Sequence, residues 1–232
     1  MKRFALALAA AVLVWGAAPA QAGVVVAKFI NTSPGQLVAY SLNGAPQQTT
    51  SGGVFNWETQ PGSPVNLGNF ATFCIELTQL IASGDIVSFS IASVQSAPIP
   101  GSGMGIAKAD LIRELWGRFH ADIFTHVDPG TAANAFQIAI WEIIYENTGV
   151  LNVTNGDFQV AGFTLGGPAA LLAQNWLNQL DGTGPFEHRL FALTNPYKQD
   201  QITIIPEPAT IVIWGLMGTI GICWWRRRKV AH

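Results

Sequence analysis

Two apolar segments, one at each end and each bordered by basic residues, decide how much of this sequence is free to fold as a domain. Lys2 and Arg3 precede the apolar run 4–18 and then Ala20-Gln21-Ala22. This is the pattern of a secretory signal peptide, so residues 1–22 are expected to be removed and the mature chain to begin near Gly23. At the other end Pro206-Glu207-Pro208 leads into the apolar segment 209–225 and then into Arg226-Arg227-Arg228-Lys229. Residues 209–225 sit at the short limit for a transmembrane helix, and the basic tail 226–229 is expected to stay in the cytoplasm. Cys223, inside that segment, reads as a packing residue. The stretch 23–205 is then the domain, placed outside the inner membrane.

The C-terminal pattern resembles the PEP-CTERM sorting signal of bacteria. It has a Pro-Glu-Pro motif (Pro206, Glu207, Pro208), one transmembrane helix and an arginine cluster (Arg226, Arg227, Arg228), in that order. The resemblance covers residues 205–229. It implies processing by an exosortase, a membrane protease of cells that make exopolysaccharide. The expected route is export through the inner membrane, transient anchoring by the C-terminal helix, and then the cell surface or extracellular matrix.

Within 23–205 there are six basic residues (Lys28, Lys108, Arg113, Arg118, Arg189, Lys198) against thirteen acidic ones. A mildly acidic domain with no basic stripe cannot neutralise a phosphate backbone, so nucleic acid is not expected as a partner. The domain keeps one cysteine, Cys74, and therefore no internal disulfide, so packing must hold it together.

The first half reads as β. Residues 24–30 and 36–42 are rich in branched side chains, and Asn43-Gly44 is a turn dipeptide. Residues 45–69 shift to Gly, Pro, Ser, Thr and Gln, which predicts a long loop with a short strand around Trp57. The Cys74 strand and the alternating run 86–94 flank Ser83-Gly84-Asp85, which predicts a hairpin. Three helices follow. One spans 107–119, with a stripe at Leu111, Ile112, Leu115, Trp116 and Phe119. The second, 132–147, is capped by Asp128-Pro129-Gly130-Thr131, and the third is opened by Pro168 and runs to Leu180. Strands are expected at 158–165 and within 186–205. The fold class is therefore α+β: a β-sandwich or barrel-like sheet domain with a helical insertion, plus the C-terminal transmembrane helix.

Two residues invite chemistry. In Phe73-Cys74-Ile75-Glu76-Leu77 the alternation puts Phe73, Ile75 and Leu77 on one face of a strand. Thr72, Cys74 and Glu76 take the other, so Cys74 is expected to point away from the core. In the second helix, Gln137 shares its face with Ala133, Ile140, Trp141 and Ile144, so its amide should be buried. A buried amide without partners costs roughly 1–3 kcal/mol, so Gln137 must be hydrogen-bonded or chemically altered. Glu142 and Glu146, four apart, mark the expected solvated side.

The pair resembles the bacterial thioester domain family, whose signature is a cysteine in a strand context and, after a helical region, a Gln-x-Ala-Ile-Trp motif. Here these read Phe73-Cys74-Ile75-Glu76-Leu77 and Gln137-Ile138-Ala139-Ile140-Trp141, and the resemblance covers residues 70–180. It implies an internal thioester between the sulfur of Cys74 and the side-chain carbonyl of Gln137. Such a bond attaches the domain covalently to an amine- or hydroxyl-bearing surface protein or polysaccharide. Family members are best known as adhesin tips anchored by sortase signals, whereas this chain ends in an exosortase-type signal. A thioester stores an acyl group for one reaction, so no turnover, cofactor or metal is expected, and the site should be walled against water by Phe73, Phe136 and Trp141.

Two other classes fit parts of the sequence. A cysteine hydrolase would pair Cys74 with His120, His126 or His188. A non-covalent exopolysaccharide-associated or carbohydrate-binding protein would stack sugars on Trp57 or Tyr40. Asp122, Asp128, Glu142 and Glu146 lack the loop spacing of a calcium site.

Overall fold

The computed structural model describes residues 23–160 and 167–205. The expected signal peptide (1–22), the Pro-Glu-Pro motif, the transmembrane segment and the basic tail lie outside the described residues. Among the described residues no helix is long and apolar enough to cross a membrane.

The chain is mixed α and β. Its strands are β1 (Val24–Leu42), β2 (Gln48–Thr59), β3 (Asn69–Cys74), β4 (Ile86–Ala92), β5 (Phe158–Val160), β6 (Leu190–Thr194) and β7 (Gln201–Ile204). The helices are α1 (Gly105–Phe119), α2 (Asp122–Thr125), α3 (Pro129–Tyr145) and α4 (Gly167–Leu177), all inserted between β4 and β6. The strands form one antiparallel sheet in the order β2-β3-β7-β6-β4-β1-β5. Because β1 also pairs with β2, the pairing β1-β2-β3-β7-β6-β4 returns to its start.

Three expectations are corrected. Residues 24–42 form one 19-residue strand. Register shifts between Phe29 and Asn31 and between Thr32 and Gly35 let it bend from β4, through β2, to β5 without ending. The stretch 45–69 contains the 12-residue β2, disguised by its polar and glycine-rich composition. There the β-branched and aromatic residues Thr49, Thr50, Val54, Phe55 and Trp57 decide for the sheet, while Gly53 takes a φ of +129° against the backbone of Pro34 and Gly35. Finally, β3 and β4 do not form a hairpin: β3 pairs with β2 and β7, and β4 with β1 and β6. The turn at Ser83-Gly84-Asp85 instead docks on β1, where Phe29 exchanges backbone hydrogen bonds with Asp85 and Gly84 at 2.8 and 2.9 Å.

Helix α3 begins as its sequence predicts. Asp128 Oδ1 accepts from the N–H groups of Gly130 and Thr131 at 3.0 and 3.2 Å, and Pro129 occupies the first turn, where its missing N–H is harmless. It then runs through the middle of the molecule, touched by α1, α2, α4, β1, β2 and β5. Every residue from Thr131 to Ile144 is buried as a result.

Candidate functional site

The last residue of β3 meets the middle of α3. Cys74 N–H donates to Gln137 Oε1 at 2.9 Å, and Gln137 Nε2 donates to the carbonyl of Cys74 at 2.7 Å. One amide thus clasps both backbone groups of the cysteine across 63 residues of sequence, with both side chains at 0 % exposure. The cysteine sulfur turns back along its own chain. Its S–H donates to the carbonyl of Glu76 at 2.8 Å, and the Glu76 N–H approaches it at 3.4 Å.

Helix periodicity explains the rest of the contact. Gln137, Trp141 and Tyr145 succeed one another four residues apart and so form one stripe along α3. Gln137 holds Cys74, and Tyr145 accepts the N–H of Leu77 on its hydroxyl at 2.8 Å. The Trp141 indole N–H is buried with no hydrogen-bond partner, yet it faces the Cys74 sulfur closely enough to favour its thiolate. Tyr40 from β1 closes the far side, its ring centroid 6.4 Å from that of Trp141.

The expectation that Cys74 points away from the core is overturned, because both faces of β3 are covered. On one face Thr72 accepts the Trp57 indole N–H at 2.9 Å and donates to Gln201 Oε1 at 2.8 Å. On the other, Phe73 packs on Phe136 at 4.7 Å and edge-on to Trp116 at 5.6 Å. Strand alternation reports two faces but cannot say that a helical layer will bury the second. Glu142 and Glu146 are corrected for a related reason, since both are buried rather than solvated. Glu142 Oε1 accepts from Asn152 N–H at 2.6 Å, and Glu146 accepts from Thr148 and Asp157 N–H at 2.7 and 2.8 Å. The two carboxylates thereby tie the loop after α3 over the helix.

Burial pushes the Cys74 thiol up to about 12, with the nearby Glu76 and Asp200 charges adding to the rise and the Glu76 backbone and Trp141 opposing it. The thiol is therefore protonated at neutral pH. Burial also raises the Tyr40 and Tyr145 hydroxyls, and it raises Asp200 to about 6.

The candidate bases for a hydrolase stand elsewhere. His120 stacks on Trp116 at 4.4 Å and meets Phe73 edge-on, on the side of β3 opposite Cys74, and burial lowers it to about 4. His126 bonds the backbone of Asp128, and the ring of His188 lies 6.1 Å from that of Phe186. The sulfur's hydrogen bonds among the described residues go to Glu76, not to an imidazole. Trp57 and Tyr40 are nearly fully buried and present no face to a sugar. No group of three or more His, Cys, Asp or Glu able to hold a metal occurs among the described residues.

No protein-family model, no curated protein and no solved structure matches the chain.

Of the expected site residues, Cys74, Gln137 and Trp141 come together, while Phe73 and Phe136 wall the neighbouring face of β3. Pro206, Glu207, Pro208, Arg226, Arg227 and Arg228 lie outside the described residues. Sequence reasoning missed Tyr145 and Glu76 as members of the site. The signal for Tyr145 was its position eight residues after Gln137 on one helix face; for Glu76, its sharing a strand face with Cys74.

Proposed function

We propose that this is an exported surface or extracellular-matrix protein whose barrel-like β domain carries an internal thioester between Cys74 Sγ and Gln137 Cδ. The bond serves for one-time covalent capture of an amine or hydroxyl on a protein or polysaccharide. The observation that carries this reading is the double hydrogen bond by which the Gln137 amide is laid on the backbone of Cys74. It fixes the electrophilic carbon beside the residue that bears the nucleophile, and this pre-paid orientation is what lets an unreactive carboxamide react at all.

The chemistry follows from that placement. As the sulfur attacks, negative charge develops on Gln137 Oε1, where the Cys74 N–H already donates. Ammonia leaves, and the thioester remains as an acyl donor whose leaving group, a thiolate, is far better than an amine. Complete burial of both residues keeps hydrolysis slow until a target arrives. An incoming lysine amine yields a stable amide and a sugar hydroxyl an ester. Export by the signal peptide and processing of the C-terminal signal by an exosortase complete the reading.

The test is intact mass of the purified native protein. The expected result is a deficit of one ammonia, absent in Cys74→Ala, and addition of methylamine at Gln137 on incubation. Full mass in freshly prepared folded protein would reject the thioester.

A further inference from the structure

The thioester reading leaves one chemical requirement unmet, because a thiol held protonated cannot attack and an amide cannot expel NH2 without a proton. Two buried carboxyls act on the sulfur, and Asp200 has both oxygens taken by the N–H groups of Asn195 and Ile99, which leaves Glu76 as the group suited to move that proton. Glu76 lies against the sulfur through both of its backbone groups. Its carboxylate is almost completely buried, with Oε1 held by the Thr78 N–H at 2.6 Å and by the Thr78 hydroxyl. Its second oxygen, Oε2, is buried with no hydrogen-bond partner. A buried carboxylate oxygen given no donor is costly, and such an oxygen on a residue whose backbone holds the nucleophile calls for a reason.

The titratable groups that its charge acts on are Cys74 at the end of β3, Tyr40 from β1, Tyr145 from α3 and Asp200 just before β7. None is a cation. No ion pair of the described residues involves Glu76. Tyr145 is already engaged by the Leu77 N–H.

We propose, resting on the thioester reading, that Glu76 is the proton carrier of the site. Its carboxylate takes the proton of Cys74 Sγ as the Sγ–Cδ bond forms. It then delivers that proton to Gln137 Nε2 as the Cδ–Nε2 bond breaks and ammonia departs. Capture of ammonia is this step reversed, so by microscopic reversibility the same carboxylate serves capture of any amine. There it accepts the proton the attacking nitrogen loses and returns it to the departing sulfur.

Glu76→Gln keeps the shape and an oxygen for the Thr78 donors but cannot carry the proton. In the full chain, with methylamine as probe, capture should slow about a hundredfold. The fraction of molecules short of one ammonia should fall, and both should recover as pH rises and hydroxide replaces the carboxylate. A purely structural role would give no such recovery. If wild type shows the deficit and Glu76→Gln matches it in deficit and rate at every pH, the proton-carrier role is overturned and the thioester stands. If wild type has full mass, both are overturned. Should Glu76→Gln fail to fold, wild-type capture at constant free methylamine decides: loss of rate in acid supports the role, and a flat rate rejects it.

Discussion

Two amides on adjacent turns of α3, Asn134 and Gln137, are both fully buried and meet opposite fates. Gln137 has both of its polar atoms paired with the backbone of Cys74. Asn134 has neither Nδ2 nor Oδ1 paired, and it sits over Gly52 of β2, where a Cβ would collide with Oδ1. The pair teaches that burial alone does not mark a functional amide. What separates them is the partner: Gln137 meets a strand end whose N–H and C=O receive it, whereas Asn134 meets β2 at Gly52, within the stretch paired with β1, and bonds none of its groups.

That contrast can be broken from several sides. Gln137→Ala should be the most damaging change, because it orphans a buried N–H and a buried C=O together. A loss of about 2–5 kcal/mol in urea unfolding is expected, along with loss of the ammonia deficit. Gly52→Ala should cost about 1–3 kcal/mol by forcing a methyl group against Asn134 Oδ1 and Val38. Moving Asn134 out of the way should relieve it, so Gly52→Ala combined with Asn134→Ala should be less damaging than the sum of the two.

Next to Trp141 on α3, Glu142 sharpens the point with a carboxyl in place of an amide. Burial lifts its carboxyl from 4.5 to about 7. A folded-state value above the unfolded one means that the folded protein binds more protons between the two, so this contribution to stability falls as pH rises from about 4.5 through about 7. Asp200, also raised, acts in the same sense, while His120, lowered, acts in the opposite one. The clean readout is therefore the difference between wild type and Glu142→Gln. The variant should gain on the order of 1 kcal/mol relative to wild type on going from acid to mildly alkaline solution, and a pH-independent difference would contradict the assignment. Smallest of all should be Asn134→Ala alone. Removing a polar group that had no partner offsets most of the packing lost, so a change below about 1 kcal/mol of either sign is expected. A large destabilisation would mean that Asn134 has a partner after all.

How much of this could be read from the residues depends on whether the deciding partner was local. The burial of Gln137, the cap at Asp128 and the helical insertion all follow from spacing within one element, and each stands in the structure. The covered second face of β3 depends on helices far along the chain, and the buried Glu142 and Glu146 depend on how the loop after α3 folds back to supply backbone donors, neither of which periodicity encodes. For β2, composition pointed to a loop and pairing on both sides prevailed. The meeting of Cys74 and Gln137 was anticipated by motif, not by physics, because neither strand alternation nor helix spacing locates one element against another.

One consequence concerns timing. The strand that ends in Cys74 is flanked by β7, whose Gln201 and Ile202 sit opposite Cys74 and Phe73, and β7 is the final strand of the described chain. A contact spanning so much sequence forms late, after the loop entropy between its ends has been overcome. The setting in which Cys74 meets Gln137 is thus complete only when the whole domain has wrapped. Under the proposed function, a half-exported chain would carry an ordinary cysteine and an ordinary glutamine and would arm itself only on arrival.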